Sequence, residues 1–244
     1  MAERTVSERS LLLSLSLIAL FICGCSSQPA PPVYTAPKPS VTQTTGFMSE
    51  AEIVEVGERY GPLAEARVRY WQQMIRSPGS PVEEDRLKQV NDFFNGARFV
   101  DDKEVWQQED YWATPLEFLI MDAGDCEDFS VAKYFTLKKM GVEMEKMRLT
   151  YVKALTLNKA HMVLAYYPKS NSIPLILDNL QPGIQPATDR MDLMPVYSFN
   201  GKDLWLAKTR SKQEKVGKAD TLKTWQDLNS RIESGAPPLV ILSP

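Results

Sequence analysis

The chain has 244 residues, 43% of them hydrophobic and 24% charged, which is enough apolar material to bury a core without disulfide or metal staples. Its formal net charge is -3 at a pI near 5.4, and no dense run of lysine and arginine interrupts the mixture of signs, so nucleic acid is not expected as a partner. One main domain is the expected count.

Residues 1–24 read as an export signal: Arg4 and Arg9 precede an apolar run from Leu11 to Ile22, which ends in Cys23-Gly24-Cys25-Ser26-Ser27. The run is shorter than the roughly 20 residues a membrane-spanning helix needs. Its Ile22-Cys23-Gly24-Cys25 ending resembles the lipobox of bacterial lipoproteins. That implies an acylated Cys25 and a periplasmic protein anchored by lipid, at the outer membrane if Ser26 directs it there. The plainer alternative is a cut nearby that leaves a soluble periplasmic protein. Either way Cys126 is left without a disulfide partner in an oxidising compartment, and such a thiol is either buried or employed.

Residues 25–47, rich in Pro, Ser, Thr, Gln and Ala, have the composition of a flexible tether. Ser49 followed by Glu52 makes a capping box and predicts one helix over residues 50–76, ended by Ser77-Pro78-Gly79-Ser80-Pro81. A second helix over residues 82–95 carries Leu87, Val90 and Phe94 at helical spacing, and an antiparallel hairpin of the two is expected. Thr114-Pro115 opens a short helix to Met121, broken by Ala123-Gly124-Asp125 before another helix from Cys126 to Met140.

From there the apolar period changes to two. Arg148 to Lys153, His161 to Tyr167 and Ile173 to Asp178 read as strands, with two more at 196–199 and 203–207 joined by Asn200-Gly201. The expected fold class is α+β, with N-terminal helices and the Cys126 helix packed on an antiparallel sheet. The main domain is placed at residues 48–210, followed by a C-terminal segment, 211–244, with a helix from about Leu222 to Ile232.

His161 is the one histidine of the chain, so a thiol–imidazole couple can form in only one way. Cys126 falls in the first turn of its helix, where free N–H groups and the helix dipole favour an anion. His161 starts a strand, and Asp178 ends the next one, within reach of the far ring nitrogen. A lone cysteine on a helix is more often a small core residue and a lone histidine in a strand merely hydrogen-bonded, but their joint placement makes a Cys126-His161-Asp178 triad. Asp122, Asp125, Glu127 and Asp128 crowd the thiol and oppose its ionisation. Either they partner the helix dipole or they bind a Ca2+ ion, which would reverse the local field.

Three stretches then carry a resemblance: Trp112-Ala113-Thr114-Pro115-Leu116-Glu117-Phe118; Gly124-Asp125-Cys126-Glu127-Asp128-Phe129 with Lys133; and Ala160-His161-Met162-Val163-Leu164 with Leu177-Asp178-Asn179. Together they resemble the bacterial transglutaminase-like cysteine proteinases over roughly residues 48–210. The resemblance implies a papain-like, transglutaminase-type fold, the same triad, and calcium held by Asp125, Glu127 and Asp128. It further implies a large surface adhesin as substrate, cut in its N-terminal region near an Ala-Ala pair so that cells leave a biofilm. The implied regulator is the periplasmic domain of an inner-membrane cyclic-di-GMP receptor. A transglutaminase or amidase of the same fold and a non-catalytic calcium-binding scaffold lipoprotein are the rival readings.

Overall fold

The computed structural model describes residues 47–209 and 212–235. The expected export signal, the acylated Cys25 and all but the last residue of the expected tether lie outside the described residues. Among those described, no helix is long and apolar enough to cross a membrane.

The capping box forms: Ser49 Oγ accepts from Glu52 N at 3.3 Å and Glu52 Oε2 from Ser49 N at 2.6 Å, opening α1 (Glu50–Tyr60). The single helix expected over 50–76 is two, because Gly61 sits at φ 92°, ψ 163° and Pro62 begins α2 (Pro62–Arg76). Proline drives the residue before it out of the helical region, and glycine accepts a positive φ that other residues resist. The apolar stripe hides this break, since Ile53 and Val56 before it and Val68, Trp71 and Ile75 after it are all buried. Helix α3 (Glu83–Asn95) does not pair lengthwise with α2 as expected. It lies on the later helix α6, while α2 packs on α1 and α5. The Tyr70 and Phe93 rings, 5.3 Å apart, bridge α2 and α3.

Next come β1 (Arg98–Phe99), α4 (Asp102–Val105), α5 (Pro115–Met121) and β2 (Ala123–Gly124). Thr114 and Glu117 form a second capping box at the start of α5, and Asp122, left-handed at φ 52°, ends it. β1 and β2 pair in parallel, Phe99 opposite Gly124, which ties the stretch before α6 (Cys126–Lys139) to the preceding loop.

Helix α6 is the centre of the molecule, buried from Asp128 to Leu137 between α3, α5 and the sheet. Its buried polar side chains each find a partner, as burial demands. Ser130 Oγ donates to Met162 O at 3.0 Å, Thr136 Oγ1 accepts from Trp71 Nε1 at 2.8 Å, and Lys133 Nζ donates to Asn95 Oδ1 at 2.7 Å.

The strands β3 (Met147–Ala154), β4 (Lys159–Tyr166), β5 (Leu175–Leu177), β6 (Gln185–Pro186), β7 (Leu193–Phe199), β8 (Asp203–Ala207) and β9 (Gln213–Lys218) form one antiparallel sheet in the order β6-β5-β4-β3-β7-β8-β9. Met147, Leu149, Met162, Leu164 and Tyr166 face the helices, while Val152, Val163, Ala165 and Ile176 form a smaller cluster on the other face. β7 starts at Leu193, earlier than expected, because Pro195 falls where the register shifts and masks the alternation. β9 was not anticipated: its Gln213-Glu214-Lys215-Val216-Gly217-Lys218 is a charged edge strand without an apolar face.

The fold continues past residue 210. Besides β9, helix α7 (Lys223–Ser234) buries Trp225 and Leu228, with the Trp225 ring stacked 5.6 Å from Phe135. From its last turn Arg231 donates to Glu117 Oε2 at 2.7 Å, to Tyr111 Oη at 2.6 Å and to the Trp112 carbonyl.

Candidate active site

Cys126 is the first residue of α6, with Asp125 as N-cap: Asp125 Oδ1 accepts from Glu127 N at 3.2 Å. The helix packs on β4, so the thiol lies against the strand that carries His161, close enough to the Met162 backbone for a hydrogen bond. In this structure Sγ donates to Glu127 Oε2 at 2.8 Å rather than to the imidazole. Burial first, then the charge and hydrogen bond of Glu127, push the thiol far above the usual thiol range, and Asp125 adds to the rise. The Met162 backbone works the other way.

His161 is on β4 and Asp178 directly follows β5, the adjacent strand, in which Leu177 pairs with Leu164. His161 Nε2 and Asp178 Oδ1 are 2.8 Å apart, both residues being buried. Burial would raise the Asp178 carboxyl. The His161 hydrogen bond and charge, the Leu180 amide and Arg190 more than offset it and hold the group at about 2. An ionised carboxylate on Nε2 selects the tautomer with its proton there and leaves Nδ1 free to accept.

The acids sort into two sets that share Asp125. Ligand atoms of Asp125, Cys126 and Glu127 lie within 4.8 Å of one another, and so do carboxylate oxygens of Asp102, Asp125 and Asp128. Asp128, fully buried, accepts from Ala113 N at 2.6 Å and Trp106 Nε1 at 3.2 Å, fastening the loop before α5 to the start of α6. A Cβ on Gly124 would come 2.5 Å from Asp128 Oδ2, so the glycine is what lets this carboxyl fold back. Asp102 accepts from Tyr111 N at 2.6 Å through Oδ2, while its buried Oδ1 has no partner. Burial, then neighbouring acids, push Asp102 up to about 6 and Asp125 up to about 9, and raise Asp128 as well.

A thiol at a helix start, on a helix packed against the strand that carries the histidine of a buried histidine–aspartate pair, is an arrangement that cysteine proteinases and transglutaminases share, and the comparisons point to the first. The family described as bacterial transglutaminase-like cysteine proteinase BTLCP matches residues 70–198. The chain belongs to this family. Among solved structures, Legionella pneumophila LapG in its EGTA-treated form is 42% identical, at a TM-score of 0.66, over 76% of this chain and 98% of that one. A second structure of the same Legionella protein is 40% identical, at 0.66, with the same coverage. Its calcium-bound form is 40% identical, at 0.65, over 76% of this chain and 99% of that one. No curated protein matches. The transglutaminase-like α+β fold expected from the sequence is thus present, and the chain is a cysteine protease of the LapG type.

In this proteinase His161 and Asp178 are brought into contact, and Cys126 is placed over the same strand. Of the acids expected to bind metal, Asp125 and Glu127 gather about the thiol and Asp128 lies one layer behind. Asp102 was missed by the sequence reading. It comes from α4, far back in the chain, and no spacing rule links a lone acid in an unrecognised short helix to the Asp125-Cys126-Glu127-Asp128 stretch.

Proposed function

We propose that the chain is a calcium-dependent endopeptidase acting through Cys126, His161 and Asp178, and that it cuts the N-terminal region of a large surface adhesin near an Ala-Ala pair, freeing cells from a biofilm. The observation that carries the reading is the buried His161–Asp178 pair at 2.8 Å, bonded through Nε2 so that Nδ1 is the nitrogen left for a thiol proton. The Sγ proton passes to Nδ1, and Sγ attacks the scissile carbonyl. The Cys126 backbone N–H at the start of α6 meets the developing oxyanion. The imidazolium then protonates the leaving amine, and water, deprotonated by the same nitrogen, resolves the thioester.

The residues fit Ca2+: a set of hard carboxylate oxygens, one of them the buried and unpartnered Asp102 Oδ1, with Asp102 and Asp125 pushed toward protonation by burial and then by neighbouring acids. Asp125, Glu127 and Asp128, joined by Asp102, would hold the ion. An ion there would supply positive charge that favours the thiolate, and Glu127, which accepts the thiol hydrogen bond, would be one of its ligands. That LapG has a calcium-bound form supports this reading.

The enzyme would work in the periplasm, stationed at the outer membrane if Cys25 is acylated, and be held in check by the periplasmic domain of an inner-membrane cyclic-di-GMP receptor. Incubation with the N-terminal fragment of an adhesin from the same genome tests the core of the reading. Cleavage with Ca2+, none with EGTA and none by Cys126→Ala is expected. Amine incorporation without cleavage would replace it with a transglutaminase. Mass spectrometry of the mature N-terminus decides the lipid.

A further inference from the structure

Arg190 is almost fully buried, at 2% exposure, in the connection between β6 and β7. A guanidinium is rarely withdrawn from water unless its donors are used, and here most are. Nη2 donates to Asp178 Oδ2 at 2.7 Å and to Asp192 Oδ2 at 2.9 Å, and Nε donates to Asp192 Oδ1 at 3.0 Å. Asp192 therefore grips the guanidinium in a two-point clasp, and the remaining reach of Nη2 is spent on Asp178. The backbone around it is wound tightly, with Arg190 N donating to Ala187 O at 3.3 Å and Leu193 N to Arg190 O at 3.1 Å, so the clasp is fixed relative to β7.

From the side of Asp178 the contacts are complete. Oδ1 meets His161 Nε2 at 2.8 Å and accepts from Leu180 N at 3.0 Å, and Oδ2 accepts from Arg190. The main chain is held as well: Asn95 Nδ2 donates to Asp178 O at 2.8 Å, and Lys133 Nζ holds Asn95 Oδ1 at 2.7 Å. With Oδ2 engaged, the carboxylate cannot turn about its Cβ–Cγ bond, so the oxygen presented to the imidazole is always Oδ1, in one plane. Without Arg190, Oδ2 would be a buried anionic oxygen with no donor, and the carboxylate would gain by turning or by taking a proton. Either change frees the ring to adopt the other tautomer, with Nδ1 protonated and unable to accept.

We infer that Arg190 is a positioning residue of the proteinase: clasped by Asp192, it fixes the orientation of Asp178 and thereby keeps His161 in the tautomer whose Nδ1 accepts a proton. The inference rests on the reading of Cys126, His161 and Asp178 as the reacting triad. It adds a fourth and fifth member, Arg190 and Asp192, that touch neither the peptide nor the thiol.

Because His161 is the one histidine of the chain, 15N spectra of untagged protein labelled at histidine report it without overlap. Wild type is expected to show the Nε2–H form. Arg190→Met is expected to show a mixture of tautomers and to lose about 10- to 100-fold in kcat, the scale of a misplaced catalytic group, with KM unchanged. Arg190→Lys, which keeps the charge but loses the planar clasp, should recover part of the loss. Should Arg190→Met not fold, Asp192→Asn decides instead: it loosens the clasp but leaves the Asp178 contact, and should give a smaller change of the same kind. Folded Arg190→Met, or in its absence Asp192→Asn, with an undisturbed tautomer and kcat within about twofold of wild type overturns the inference. If Asp178→Asn itself leaves kcat intact, it is the triad reading that fails rather than the part given to Arg190.

Discussion

On the β4–β5 side of the site, the Asp178 carboxylate is matched by the His161 ring, the Arg190 guanidinium and the Leu180 amide, and both of its oxygens are engaged. On the α6 side, Asp102, Asp125, Glu127 and Asp128 crowd one thiol, and none of the four makes an ion pair among the described residues. The two halves also respond oppositely to burial. Asp178 is held at about 2 and stays charged, whereas Asp125 is pushed to about 9 and Cys126 beyond the usual thiol range. On the function proposed above, folding alone finishes the base, while the nucleophile waits for positive charge that the described residues do not provide.

Removing the nucleophile is the severest way to test that division. Cys126→Ala should cost about 10^6-fold in kcat, down to background. Its thermal melt should stay close to wild type, since the half-buried side chain gives up only a sulfur. A variant that still cleaves would move the chemistry away from α6 altogether. Next in size, Asp178→Asn should lower kcat by about 10^4-fold with KM little changed, because a neutral amide no longer selects the Nε2–H tautomer. A loss below about tenfold would mean the base half is not set by Asp178.

Calcium should act on the other half alone. Ion at about 100 times its Kd would stabilise the fold by about 2.7 kcal/mol, read as a rise in Tm that EGTA removes. The gain should depend on pH with a definite sign. Asp102 at about 6 and Asp125 at about 9 are raised above the ordinary aspartate value of 3.8. In chelated protein their stabilising, protonated state is complete below that ordinary value and is lost as pH rises through about 6 and about 9, because the unfolded chain has already released those protons. Calcium replaces the protons, so its stabilisation should be larger near pH 8 than near pH 5. Equal gains at both would argue that the ion binds elsewhere.

Much of this arrangement was legible in the sequence, and what was not has local causes. The apolar period gave β3 and β4, and the capping boxes at Ser49 and Thr114 gave two helix starts, because each is a short-range pattern. The break at Gly61 was missed because periodicity runs through a Gly-Pro pair that dihedral preferences should have flagged. Charged β9 has no alternation to read. His161 and Asp178 could be placed on successive strands, but Arg190 and Asp102 could not be assigned to the site. Each enters by a long-range contact made from an irregular connection or a single turn of helix, where sequence spacing carries no geometric information.

The smallest effect expected is at Lys133, and it probes whether the base half needs every charge around it. The side chain is 1% exposed, with Asn95 Oδ1 as its hydrogen-bond partner and the Phe129 ring 5.9 Å away. Burial pulls its pKa down to about 7 from 10.5, against the attraction of Asp178. The sign follows from proton counting: between about 7 and 10.5 the unfolded chain keeps a proton that the folded chain has shed, so this group makes stability rise with pH across that window, and its penalty is complete below about 7. Lys133→Met removes both the penalty and the slope, at a cost of about 1 kcal/mol for the stranded Asn95 oxygen. Below about pH 7 the variant should therefore match or exceed wild type in chemical denaturation, and wild type should gain on it toward pH 10. Since Asn95 can still hold the Asp178 carbonyl and Arg190 still holds its carboxylate, kcat should fall by less than about tenfold. A collapse of activity with the fold intact would show that Arg190 does not suffice to balance Asp178, and that the base half, too, depends on a charge that can be titrated away.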